Sequence, residues 1–174
     1  MRWTTIDGAV EERICEGLVE SFRDGIGTYG FKNKVDFWSH RLINSHDLPV
    51  GSELRSTIDG IGQLVIDTIL REWGELAAMQ VSQLVSWPAG TAQGAHIDRF
   101  FPDTAFAAIL YLNADYSGGE TFLELPEETR RVSPRTGRLL VFEGTRIMHG
   151  VEQIGQGVRY TNAMWLSAPT AGPQ

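Results

Sequence analysis

The chain has 174 residues, enough for one domain that buries most of the apolar surface its unfolded form exposes. Hydrophobic residues make up 42% and charged residues 21%, ordinary shares that exclude a disordered or fibrous chain. The net charge of -7 opposes non-specific attraction to nucleic acid or anionic lipid, and a single cysteine, Cys15, excludes an internal disulfide framework.

From Gly8 to Asp24 the apolar residues Val10, Ile14, Leu18 and Phe22 recur every fourth position, with Asp7 placed to cap and Gly25 to stop an amphipathic helix. Cys15 falls among these positions and reads as core. Residues 25 to 51 have no clear period and mix Gly and Pro with Trp, Phe, Tyr and His, which suggests a long surface loop or irregular hairpin of the kind that touches substrate. A second helix spans Ser52 to Trp73, where Leu54, Ile58, Ile61, Val65 and Ile69 form one stripe and Gly74 supplies the stop. Everything later reads as strand: Met79 to Trp87, Ala105 to Leu112, Thr121 to Leu125, Arg138 to Phe142 and Val158 to Leu166, separated by Gly, Pro, Asn or Asp. Helices first and strands afterwards predict an α+β chain, a double-sheet jelly-roll core backed by N-terminal helices and ending in a frayed tail at 169 to 173.

The first residues run straight into charged sequence without an apolar leader, and no apolar run is long enough to span a bilayer. The expectation is therefore a cytoplasmic protein, monomeric or homodimeric, that engages neither membrane nor nucleic acid.

The chemistry-bearing residues cluster in the strand-rich half. In Gly94-Ala95-His96-Ile97-Asp98-Arg99 an imidazole and a carboxylate stand two apart, so an extended chain aims both side chains to one face. His149, in the turn-like segment Met148-His149-Gly150, would complete a set of two histidines and one carboxylate, the arrangement of non-haem iron oxygenases with open coordination positions. Downstream, Arg159, Thr161, Ala163 and Trp165 share one face of a strand. An Arg directed into a β-sandwich is costly unless it meets a buried anion; an internal acid or an anionic ligand would satisfy it, with the Thr161 hydroxyl as a further donor. Tyr111 alternates onto the same strand face as Ala107 and Ile109, where a buried phenol needs a hydrogen-bond partner.

Taken in order, Trp87-Pro88-Ala89-Gly90, His96-Ile97-Asp98, Ala108 to Asn113, Gly118-Gly119-Glu120-Thr121, Pro134 to Phe142, and His149 followed ten residues later by Arg159 resemble the prolyl-4-hydroxylase-like branch of the 2-oxoglutarate and iron(II) oxygenases. The resemblance covers roughly residues 79 to 167. It implies a distorted double-stranded β-helix, or cupin-like jelly roll, with Fe(2+) held by His96, Asp98 and His149, and 2-oxoglutarate and O2 as co-substrates. It places the far carboxylate of 2-oxoglutarate on Arg159 and Tyr111, and Trp165 near the site. Trp87 departs from the pattern, since family members commonly carry a tyrosine there, and Arg159 replaces the lysine of many collagen-type members. Halogenating relatives have a small residue where this chain has Asp98, so hydroxylation is the implied reaction.

Substrate would approach the open metal face, where Trp38, His40 and Arg41 from the irregular segment and Arg99, Phe100 and Phe101 after the triad are candidates. The arginines would suit an acidic group such as an amino acid carboxylate. The leading expectation is a hydroxylase of a small molecule, such as a free amino acid; a peptidyl-prolyl or protein hydroxylase is the enzyme rival, and a cupin-like metal-binding sensor without catalysis is the alternative from another class.

Overall fold

The computed structural model describes residues 1–32, 41–99 and 103–168. The chain enters through β1 (Trp3–Ile6), helix α1 (Glu12–Tyr29), β2 (Phe31–Lys32), β3 (Arg41–Asn44), a 3-10 turn (Ser45–Asp47) and helix α2 (Glu53–Trp73). Strands make up the remainder: β4 (Ala78–Pro88), β5 (Gln93–His96), β6 (Thr104–Tyr111), β7 (Ser117–Gly118), β8 (Thr121–Glu124), β9 (Thr129–Val132), β10 (Leu139–Phe142), β11 (Met148–Val151), β12 (Ile154–Gln156) and β13 (Val158–Ser167).

The second helix forms where its stripe predicts. Ser52 caps it by accepting from the Arg55 N–H at 3.3 Å, and Gly74 ends it at φ 68°, a left-handed conformation that glycine adopts without steric cost. The first helix differs from expectation at both ends. Asp7 does not cap it but pairs with Arg135 and Arg138, and the helix begins at Glu12. It also runs through Gly25 to Tyr29, because Ile26 and Tyr29 extend the stripe that packs on the sheet. The local cost of two helical glycines is smaller than the apolar burial gained by another turn.

Seven strands form the major sheet in the order β1-β10-β6-β13-β4-β3-β2, and four form the minor sheet in the order β5-β11-β8-β9. Their pairings are antiparallel, and β7 pairs separately with β12. Strand alternation divides the major sheet into two chemistries. On the outer face Leu84, Leu110, Met164 and Leu166 pack against Leu18, Phe22, Ile58, Val65 and Ile69 of the helices, and Cys15 belongs to this core. Burial pushes the Cys15 thiol up to about 11, which keeps it protonated and inert. The inner face turns toward the minor sheet and carries the polar residues described below. Among the described residues no helix is long and apolar enough to cross a membrane.

A candidate metal and anion site between the two sheets

Register builds the inner face of the major sheet in four successive rungs. Arg159 pairs with Trp87; Thr161 lies between Val85 and Tyr111; Ala163 lies between Gln83 and Ile109; Trp165 lies between Val81 and Ala107. Beyond β4, Leu42 extends the second rung and Asn44 the third. A cavity of about 230 Å³ opens along these rungs, roofed by residues of the minor sheet and its loops.

At one end of the cavity His96, Asp98 and His149 converge, each offering one ligand atom, and all three atoms lie within 4.8 Å of one another. His96 and His149 are direct register partners across β5 and β11, which brings their rings to 4.4 Å. His149 therefore stands on a strand and not in the turn its glycine neighbour suggests. Asp98 lies beyond the end of β5, where its N–H donates to the Gly144 carbonyl at 3.0 Å. The backbone turn, rather than simple strand alternation, aims the carboxylate.

Both imidazoles are oriented in the same way. Nδ1 of His96 lies 2.9 Å from the Gly94 carbonyl, and Nδ1 of His149 lies 2.9 Å from the Ile147 carbonyl. A carbonyl only accepts, so both Nδ1 atoms carry a proton and both rings turn Nε2 toward the centre. Nε2 of His149 is 3.5 Å from Asp98 Oδ2, and Nε2 of His96 is 3.9 Å from Asp98 Oδ1. Burial pushes the His149 imidazole below its ordinary pKa against the pull of Asp98, which favours the neutral, ligating form. Asp98 is only 3% exposed, and its Oδ2 accepts no hydrogen bond. A buried carboxylate oxygen left open beside two imidazole Nε2 atoms fits a divalent cation, and these donors suit iron(II).

At the other end the Arg159 guanidinium is 1% exposed, and no acid pairs with it among the described residues. Of the two ways of satisfying a buried Arg, the internal ion pair is therefore absent there. Nη2 donates to Thr121 Oγ1 at 3.1 Å, Nε has no partner, and the group lies 5.4 Å from the Tyr111 ring centre and 5.9 Å from that of Trp87. Such a cation costs several kcal/mol, on the order of a buried ion's effective desolvation, unless an anion joins it.

Thr121 is the residue that sequence reasoning missed as a binding group. Its oxygen accepts from the Tyr111 hydroxyl at 2.7 Å as well as from Arg159, so both lone pairs are used and its own O–H is left to donate into the cavity. Tyr111 is thereby engaged with Thr121, whereas Thr161 faces the cavity directly. The available signal was Thr121 immediately after Gly118-Gly119-Glu120, at the start of a strand. Tyr116 was missed too: its side chain packs so close to Gly119 and Gly157 that an added Cβ at either would crowd it, its buried hydroxyl has no hydrogen-bond partner, and burial pushes its pKa upward against the opposing pull of the Arg159 charge.

Trp165 lines the cavity at the fourth rung. Arg41 and Arg99 are exposed and do not line it. Trp38, His40, Phe100 and Phe101 lie outside the described residues. Two amides not anticipated from sequence, Gln83 and Gln93, do line it, with Gln93 Nε2 3.3 Å from His96 Nε2.

Comparison with known proteins agrees with this geometry. The family model described as the 2OG-Fe(II) oxygenase superfamily matches residues 79–167. A PKHD-type hydroxylase of Synechococcus sp. (strain JA-2-3B'a(2-13)) is 27% identical over 165 residues, which cover 88% of this chain and 70% of the relative. Among solved structures, a prolyl-4-hydroxylase of Pseudomonas putida superposes with a TM-score of 0.78 at 18% identity, over 97% of this chain and 93% of its own. A prolyl hydroxylase of Trichoplax adhaerens, solved with a hypoxia inducible factor oxygen degradation domain peptide, gives 0.77 at 15% identity, over 95% and 83%. The architecture is the double-stranded β-helix of these prolyl hydroxylases, with its two helices on the outer face of the major sheet.

Proposed function

We propose that this chain, which belongs to the 2OG-Fe(II) oxygenase superfamily and is a 2-oxoglutarate-dependent dioxygenase, hydroxylates a C–H bond on an uncharged group of a small molecule. His96, Asp98 and His149 would hold iron(II), and Arg159 with Thr121 would receive the far carboxylate of 2-oxoglutarate. The observation that supports this most is a pair of complementary deficits in one cavity: an unbonded buried carboxylate oxygen between two imidazoles at one end, and an unpaired buried guanidinium at the other. A dicarboxylic 2-oxo acid on a cation answers both.

Iron held there would supply the chemistry that couples the oxidative decarboxylation of 2-oxoglutarate by O2, to succinate and CO2, with hydroxylation of a substrate C–H bond. This chain's residues orient and exclude. The Gly94 and Ile147 carbonyls fix the imidazole tautomers, Arg159 and Thr121 set the depth of the co-substrate, and Leu42, Val81, Val85, Ile109 and Trp165 keep water from the wall where substrate enters.

The substrate reading rests on lining chemistry: beyond the three candidate metal ligands and Arg159, no charged side chain lines the cavity among the described residues. A peptidyl group is the second reading, supported by the prolyl hydroxylases among the similar structures. Anaerobic addition of iron(II) and 2-oxoglutarate, then O2, with succinate measured over a panel of free amino acids, neutral small molecules and proline-containing peptides, separates the two. Asp98→Ala is expected to abolish iron-dependent succinate release, and wild-type release from that variant would refute the metal assignment.

A further inference from the structure

The third rung of the cavity contains a polar group that the metal and anion ends do not use. Gln83 projects from β4 beside Ala163, among Leu42, Val85, Ile109 and Trp165 and with the Thr161 hydroxyl on the next rung, so its amide is set in a largely apolar wall. It is held from behind. Gln83 Nε2 donates to Asn44 Oδ1 at 2.9 Å, and Asn44 Nδ2 donates to Asp47 Oδ2 at 3.0 Å.

The direction of this relay follows from its last member. An ionised Asp47 only accepts, so Asn44 must turn its NH2 toward it and its oxygen toward Gln83. Gln83 must then present its NH2 to Asn44. One orientation of each amide satisfies every pair, whereas flipping either one places two acceptors or two donors face to face. Gln83 is left with its carboxamide oxygen and one N–H; its backbone carbonyl accepts from Asn162 Nδ2 at 3.0 Å, and its side chain bonds through Nε2 to Asn44, with no donor to the carboxamide oxygen among the described residues.

We infer that Gln83 is a specificity-determining residue whose carboxamide oxygen accepts a hydrogen bond from the N–H of a neutral amide on the substrate, beside the carbon that is oxidised. The inference rests on the oxygenase reading above and narrows its substrate class. An acceptor in an apolar wall favours a donor and disfavours a carboxylate. A neutral N–H fits better than an ammonium, because the described lining offers no counter-charge outside the candidate metal ligands. The remaining Gln83 N–H can meet the carbonyl of the same amide, giving a two-point match that a ketone or a hydrocarbon cannot make.

Three five-membered rings test this on the protein loaded anaerobically with iron(II) and 2-oxoglutarate: 2-pyrrolidinone, a neutral amide; cyclopentanone, which has the carbonyl but no N–H; and L-proline, a zwitterion. Binding is read from the change in absorption of the loaded protein, and turnover from succinate after O2 is admitted. We expect 2-pyrrolidinone to half-saturate at about fivefold lower concentration than cyclopentanone, the range of one or two neutral hydrogen bonds, with L-proline weaker than both. Gln83→Leu should erase that ratio while leaving 2-oxoglutarate affinity within about twofold. Asn44→Ala, which removes the relay without touching the cavity wall, should erase part of it, and it keeps the test decisive if the first variant folds poorly. Equal affinity for the two neutral rings, preference for L-proline, an unchanged ratio in both variants, or no response to any ring would overturn the assignment to Gln83. Failure of the wild type to bind 2-oxoglutarate at all would instead overturn the oxygenase reading itself.

Discussion

Gly144→Ala tests whether the carboxylate of Asp98 is placed for a metal. Gly144 follows β10 and has an ordinary backbone conformation that any residue can adopt, so a methyl group there carries no dihedral penalty. The cost is one of space. A Cβ at Gly144 would overlap Asp98 Oδ2, lie 3.3 Å from Asp98 Cγ and approach the Ala107 side chain to 3.0 Å. Ala107 is fixed between β10 and β13, so the cheaper relief is rotation of the Asp98 carboxylate away from the two imidazoles. Overpacking of this kind costs about 1–3 kcal/mol, a few degrees of melting temperature in a chain of this size. Disturbing a ligand's support typically weakens metal affinity by about 10–100-fold, and we expect that loss here. The assay is anaerobic calorimetric titration with iron(II), repeated with manganese(II), beside a thermal melt. Gly60→Ala on α2, where an added Cβ meets nothing within 4 Å, is the matched control and should bind metal as the wild type does. Unchanged metal affinity in Gly144→Ala, with a lowered melting temperature showing that the methyl is felt, would refute the placement of Asp98.

Two further outcomes follow from the buried networks. Thr121→Val keeps the shape but removes the acceptor shared by Tyr111 and Arg159; we expect a loss of about 1–3 kcal/mol in stability and roughly tenfold weaker 2-oxoglutarate binding, with iron affinity unchanged. Equal co-substrate affinity in that variant would exclude Thr121 from the anion site. Burial alone would raise the Glu143 carboxyl, but bonds from the Arg2 side chain and backbone, with Arg146, bring it down to about 2 from an ordinary 4.5. Its stabilisation is therefore complete above pH 4.5 and is lost as pH falls toward 2. Since Arg2 is partly exposed, about 2 kcal/mol is a reasonable size for it. Glu143→Gln should thus lower the denaturation midpoint at pH 7 but much less near pH 3, and an equal loss at both would contradict the ion-pair account.

The long periodic elements were legible in the sequence because burial of one face is a local pattern. The stripe of Ile58, Ile61, Val65 and Ile69, and the alternation of Arg159, Thr161, Ala163 and Trp165, needed no partner to be read. The strands β5, β7, β11 and β12 were not, since they are too short and glycine-rich to show a period and exist only through their pairings, whereas the equally short β8 and β10 fall within runs that read as strand. Of the two readings of 25 to 51, surface loop or irregular hairpin, the antiparallel pair β2–β3 fits the second, but the burial of Leu42 and Ile43 on opposite faces by β4 and the helices was not foreseen. The order of the motifs and the resemblance they carry, more than the spacing of any one, singled out His96, Asp98, His149 and Arg159, which line one cavity. Neither singled out Thr121 or Gln83, because a threonine at a strand start and a glutamine within one are ordinary, and only register across strands distant in sequence shows what each faces.

The candidate metal ligands hang from the small sheet and its loops, while the guanidinium hangs from the large one, and the cavity runs between those ends, bridged at the guanidinium end by the bonds of Thr121 with Arg159 and Tyr111. A dicarboxylate fastened at both ends would act as a cross-brace, tying two layers that otherwise meet mainly through side-chain packing. Loading should then harden the whole sandwich and not just the mouth of the cavity, with resistance to heat rising as the logarithm of free co-substrate and metal.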